Sequence, residues 1–191
     1  MALSVTSICN MALARIGAKR INDYEADTSL EAIQCQTHYE PLRDALLRGH
    51  SWRFASARAT LSADPTAPVF EWDYKYALPA DCLRVEGLYD ATSTYAVEGG
   101  WLLTNDDSAD LWYIRRVTDP GQFDPLFAEV LVLQLALRLV MPLSQDKVVR
   151  RELQEELAAL VARVRTVDRH ETSLGYNTAL TTWIDARTGV L

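Results

Sequence analysis

The residues of this chain that could do chemistry are two acids around an indole. Glu71 and Asp73 flank Trp72 in the stretch VFEWDYKYAL. A carboxyl held against aromatic rings loses solvation and becomes a proton donor near neutral pH, and two carboxyls across a sugar ring are the working pair of a glycosidase. Side chains alternate along a strand, however, so both acids fall on the face opposite Trp72, where solvent covers them. Cys35 and His38, three apart on a helical segment, are half of a zinc site, and no second pair at metal spacing accompanies them. His170-Glu171 opens like the helix of a zinc protease, but Leu174 stands where the second histidine ligand belongs. The chain has no GxxxxGK[ST] or GxGxxG phosphate loop and no GxSxG elbow. No catalytic residue, metal or cofactor is expected.

Composition narrows the classes further. The 191 residues carry a net charge of -7, so the average surface repels a polyanion and a sequence-reading nucleic-acid module is disfavoured. A passage through which duplex slides unbound is compatible with that charge. Arg43, Arg48, Arg53 and Arg58 have acids interspersed and read as an ion-paired, solvated surface. Cys9, Cys35 and Cys82 are odd in number with no close pair in sequence, the usage of a reducing compartment, so no disulfide is expected. The first residues lack a basic segment followed by a long apolar run, so synthesis in the cytoplasm is expected. The longest apolar run, Leu126 to Met141, is broken by Glu129, Gln134 and Arg138 and falls short of the roughly 20 residues that cross a bilayer. It reads as a core helix, with no membrane partner.

These side chains must be positioned by a frame that the periodicities outline. Val5, Ile8, Ala12 and Ile16 keep a helical period closed by Gly17. A second helix opens at Thr28-Ser29-Leu30-Glu31 as a Thr28/Glu31 capping box, with a kink expected near Thr37 from Pro41. Leu42, Ala45, Leu46 and Gly49 share one face, with Gly49 as the expected C-cap. His50, Trp52 and Phe54 then mark a structural joint where the period changes to two. VFEWDYKYAL reads as the clearest strand, with Phe70, Trp72, Tyr74, Tyr76 and Leu78 on one face. Three weaker strands follow, among them a hairpin turning at Gly99-Gly100. Helix returns at Asp124-Pro125, and Val149, Leu153, Leu157, Leu160, Val164 and Val167 form a last stripe.

The expected fold class is therefore mainly α: a helical bundle with a small inserted antiparallel β-sheet lobe and an extended C-terminal arm. It is read as one domain over 1–191, with helices in 4–50 and 124–167, the β lobe in 53–117 and the arm in 168–191. The arm has no period of its own yet carries Trp183, Ile184 and Leu191, so it is expected to order on a partner.

Several segments in order resemble one family. They are Asn10-Met11-Ala12-Leu13-Ala14-Arg15-Ile16-Gly17, His50-Ser51-Trp52-Arg53-Phe54-Ala55 with Arg58-Ala59, Tyr76-Ala77-Leu78-Pro79-Ala80-Asp81-Cys82, Tyr113-Ile114 with Val117, and Trp183-Ile184-Asp185-Ala186-Arg187. Together they are similar to the head-to-tail adaptors of short-tailed phages, also called tail tubular protein A or tail accessory factor. The resemblance implies a ring of copies, twelvefold in the family, joining the portal protein ring to a downstream tail protein and leaving a passage for double-stranded DNA. It implies host cytoplasm during assembly and then the head–tail junction of a virion or prophage particle. It also implies portal contact through Trp183, Ile184 and Arg187. The reading from another class is a cell-wall glycosidase of a phage tail, built on Glu71 and Asp73.

Overall fold

The computed structural model describes residues 3–171. The expected portal-binding residues Trp183, Ile184 and Arg187, with the arm beyond Glu171, lie outside the described residues. Helix α1 (Val5–Arg15) opens on a capping box of two serines. The Ser7 amide donates to the Ser4 hydroxyl at 3.1 Å, and the Ser4 amide donates to the Ser7 hydroxyl at 2.9 Å. It closes on Gly17 at φ +67, with the Gly17 and Ala18 amides donating to the carbonyls of Ala14 and Leu13 at 3.3 and 3.0 Å. That pair of bonds is a Schellman motif, which needs a left-handed residue at this position. Asn10 then clamps the following loop, donating to the Ile21 carbonyl and accepting from the Ile21 amide at 2.9 and 2.8 Å.

Helix α2 (Leu30–Gly49) starts one residue later than the sequence signature. Ser29, not Thr28, is the cap: its hydroxyl accepts from the Ala32 amide at 3.3 Å, while Asp27 accepts the Ser29 amide at 2.9 Å. Pro41 lies within this helix, and Gly49 is its last residue, with His50 as the extended C-cap. Helix α3 (Pro125–Leu139) is capped by Asp124, which accepts the Leu126 amide at 2.7 Å, and buries nine of its 15 residues. Together with the following π-helical turn, Val140–Ser144, it is long and apolar enough to span a membrane by composition. Here that apolar surface is spent on α1, α2 and helix α4 (Lys147–Glu171), which lays Leu153, Leu160 and Val164 against it.

Between α2 and α3 run six strands: β1 (Ser56–Leu61), β2 (Tyr74–Ala77), β3 (Cys82–Leu88), β4 (Tyr95–Glu98), β5 (Trp101–Thr104) and β6 (Ala109–Arg115). They make two three-stranded antiparallel sheets, ordered β1-β6-β3 and β2-β5-β4. This corrects the mainly α expectation. Among the described residues the chain is 47% helical and 20% strand, a mixed α/β fold. The reason is packing: the strands do not decorate the bundle as one small sheet but enclose a second core of Tyr76, Leu102, Ala109, Leu111 and Tyr113.

The strand expected across VFEWDYKYAL also shortens. Only Tyr74–Ala77 pairs, because its partner β5 ends at Thr104, opposite Tyr74. With no strand left to pair with, the preceding residues turn. The Trp72 amide donates to the Phe70 carbonyl at 2.9 Å around Glu71 at φ +72, and the Asp73 amide donates to the Asn105 side chain at 3.0 Å. The Gly99-Gly100 hairpin does form, with both glycines at positive φ as a two-residue turn of this hand requires. Leu135 is fully buried in α3, and Leu135→Ala should cost about 2 to 5 kcal/mol in chemical denaturation. An unchanged unfolding midpoint would show that α3 is not the central helix.

Candidate functional site

Three of the residues singled out in sequence are brought together. Trp52 is buried, with its ring 4.7 Å from His50, 6.1 Å from Phe54 and 5.1 Å from Phe127 at the start of α3. Phe54 stacks against Phe123 and Phe127 at 6.0 and 5.1 Å, and those two rings meet at 4.9 Å. Phe123 and Phe127 were not legible as part of the joint, because their only sequence signal is an apolar position beside a helix start. The indole Nε1 of Trp52 donates to the Leu46 carbonyl at 3.0 Å, one of the carbonyls that the end of α2 leaves without an intrahelical partner. Another, on Arg48, accepts from the Arg84 guanidinium at 2.8 Å. Arg84 also holds Glu86 and the Ser51 hydroxyl, and Arg48 returns a bond to the Leu83 carbonyl. The joint is thus a set of reciprocal bonds between α2 and β3, closed by the rings of Phe54, of Phe123 just before α3 and of Phe127 within it.

The arginines expected as a solvated face divide. Arg43 is only 5% exposed and spends its charge on Asp44 at 2.8 Å, which also holds Arg116 at 2.9 Å. A guanidinium at that depth needs a partner already in place, which Asp44 supplies. Arg58 is exposed and lies 5.6 Å over the ring of Trp112. Those two border an open groove of about 500 Å³ on the outer side of β1 and β6, lined also by Thr60, Tyr89 and Asp110. Thr60 donates to Asp110 at 2.6 Å. Asp110 is the one carboxylate among the lining residues, and it is held by the Thr60 hydroxyl.

Glu71 and Asp73 are both exposed on the turn before β2 and do not line the groove. Cys35 is buried on α2 and His38 half-buried, and among the described residues no three His, Cys, Asp or Glu side chains form a metal-sized group. The side chains of His170 and Glu171 lie outside the described set. The structure does bring together Cys9 and Cys35, which are 26 positions apart and fully buried as free thiols between α1 and α2. Hydrogen bonding to Cys35, and then burial, hold the Cys9 thiol well above its ordinary range.

Beside them Tyr24 and Tyr39 meet edge to face at 5.6 Å. Burial, followed by the charge of Glu40, pushes Tyr24 up to about 12, and burial raises Tyr39 as well. The Tyr39 hydroxyl is buried without a hydrogen-bond partner among the described residues. A phenol whose pKa rises on folding stabilises fully below its unfolded value of 10.0, and that contribution is lost as pH climbs to about 12. Stability measured by denaturant titration should therefore fall across that alkaline window, and the fall should be shallower in Tyr24→Phe. Tyr39→Phe should raise stability near neutral pH by about 1 kcal/mol, since an unpaired buried hydroxyl is removed. A destabilised Tyr39→Phe would mean that the hydroxyl has a partner. Chelator and thiol reductant should both leave the melting temperature unchanged, and a shift of several degrees with either would reveal a metal or a disulfide. No model of a known protein family matches the chain, and no curated protein matches it in sequence.

Proposed function

We propose that the protein is a structural head-to-tail connector of a tailed phage or prophage. In this reading it sits as a ring between the portal ring and a downstream tail protein, with double-stranded DNA passing through. The observation that carries the reading is where the family-like segments fall among the described residues: apart from Arg58 and Ala59, which border the groove, they build the frame. Asn10 and Gly17 of the first segment fix the loop and the end of α1. His50, Trp52 and Phe54 of the second are the aromatic joint. In the third, Tyr76 fills the lobe core and donates to the Asp106 carbonyl at 2.9 Å, and the Asp81 carboxylate accepts from the Tyr113 hydroxyl at 3.3 Å. Residues spent on rigidity are what a load-transmitting ring subunit uses, and an acidic surface lets a duplex slide without trapping its phosphates.

Electron microscopy of the protein mixed with purified portal rings tests this directly: added density capping the portal is expected, and bare portals would overturn the reading. A variant lacking residues 172–191, which leaves α4 whole, should keep its melting temperature and lose portal binding. Retained portal binding would remove the role given to Trp183, Ile184 and Arg187. Turnover of purified peptidoglycan that vanishes in Glu71→Gln and Asp73→Asn would favour the glycosidase over the connector.

A further inference from the structure

The turn before β2 holds apolar side chains out into water. Val69 is 95% and Phe70 77% exposed, although burying such apolar surface is favourable. The turn that presents them is pinned at several points. Asp64 accepts the Thr66 amide at 2.9 Å and pairs with Lys75 at 3.4 Å; Asn105 holds Asp73; and Glu71 keeps a left-handed conformation that non-glycine residues rarely adopt. Backbone strain of this kind persists only where the surrounding contacts hold it in place. Its rim is acidic. Between residues 61 and 111 the chain has ten carboxylates against Lys75 and Arg84, and Lys75 is already engaged by Asp64 and the ring of Trp101. Phosphate surfaces, whether lipid or nucleic acid, are repelled by such a rim.

The complement occurs elsewhere in the same chain. At the start of α4, Val148 is 56% exposed, and the neighbouring Lys147, Arg150 and Arg151 are all exposed. The adjacent Asp146 is occupied in capping α4, accepting the Val148 and Val149 amides at 2.8 and 3.1 Å. Arg151 reaches Glu155 only at 3.9 Å. The lobe and the start of α4 adjoin opposite ends of the central helix. The lobe joins the start of α3 through Phe54, Phe123 and Phe127, whereas α4 begins beyond its far end, after about 22 Å of helix and the π turn. Within one subunit both patches remain exposed. We infer that the acidic, apolar turn carrying Val69 and Phe70 docks on the basic, apolar start of α4 in a second copy of this chain. Two different patches meeting in this way make a head-to-tail contact, which closes into a ring or runs on as a filament according to the rotation at each step. The contact needs no portal, so it stands or falls separately from the connector reading.

Cysteine trapping tests it in the full chain. In a Cys82→Ser background, Phe70→Cys and Val148→Cys are made as separate proteins, purified, mixed and oxidised at low salt. The unlike dimer should exceed either like dimer by about tenfold, because like pairings oppose patches of equal charge. High salt should suppress it, as should Lys147→Glu with Arg151→Glu in the Val148→Cys partner. Like dimers as abundant as the unlike one, or no unlike dimer, would overturn the inference. Phe70, Lys147, Val148 and Arg151 are exposed and Cys82 is half-buried, and circular dichroism matching the parent shows that each variant is folded. An unlike dimer indifferent to the charge reversals would also defeat it, since collision of exposed thiols would then explain the product.

Discussion

The contact on which the rest of the structure depends is the indole of Trp52 against the end of α2 and the start of α3. A helix end leaves carbonyls without partners, and burying them unpaired is costly. In α2 two of them are satisfied from outside the helix, by the Trp52 indole and the Arg84 guanidinium. Because Arg84 belongs to β3, the same bonds that finish the helix fix the β lobe to it. A guanidinium at a helix C-terminus also sits at the negative end of the helix dipole, so the electrostatics and the hydrogen bonding point the same way. The rings of Phe54, Phe123 and Phe127 then fill the space between α2 and α3.

Strand β6 carries the consequence into the lobe. It is the middle strand of its sheet, and its alternation sends Leu111 and Tyr113 into the lobe core while Ile114 joins the helical core. Trp112, on the face away from the lobe core, lines the groove beneath Arg58. One strand thus forms a wall of both cores, and the lobe is not an appendage that could move without disturbing the bundle. This rigidity is what the proposed connector role would require of a ring subunit.

Charge is partitioned as sharply as the cores. The span from residue 61 to 111 carries a formal charge of -8 against -7 for the whole chain, so the remainder is close to neutral. Exposed like charges in the lobe oppose its association with phosphates and with other lobes, and favour contact with the exposed cations at the start of α4. A uniformly acidic protein of the same net charge would have no such directional preference.

Much of the helical frame could be read from sequence because it rests on local rules. The period of three and four, the Asp124-Pro125 start and the glycine at the end of α1 depend only on neighbours along the chain, and so does the Gly99-Gly100 turn. Local chemistry also misled. Thr28 and Ser29 are both competent caps, and only the loop held by Asp27 selects Ser29. VFEWDYKYAL alternates throughout, but a strand exists only where another strand faces it, and the length of β5 decided that four residues would pair. Membership of the joint by Phe123 and Phe127, the meeting of Cys9 with Cys35 and the burial of Arg43 beside Asp44 came from tertiary structure alone. Each joins or buries groups through long-range packing, which sequence spacing does not encode. The sequence by itself determined which segments would be helical and where the apolar surface lay. Only the tertiary structure decided that the strands would fold into two sheets around a second core, because that choice depends on which strands find each other across the fold.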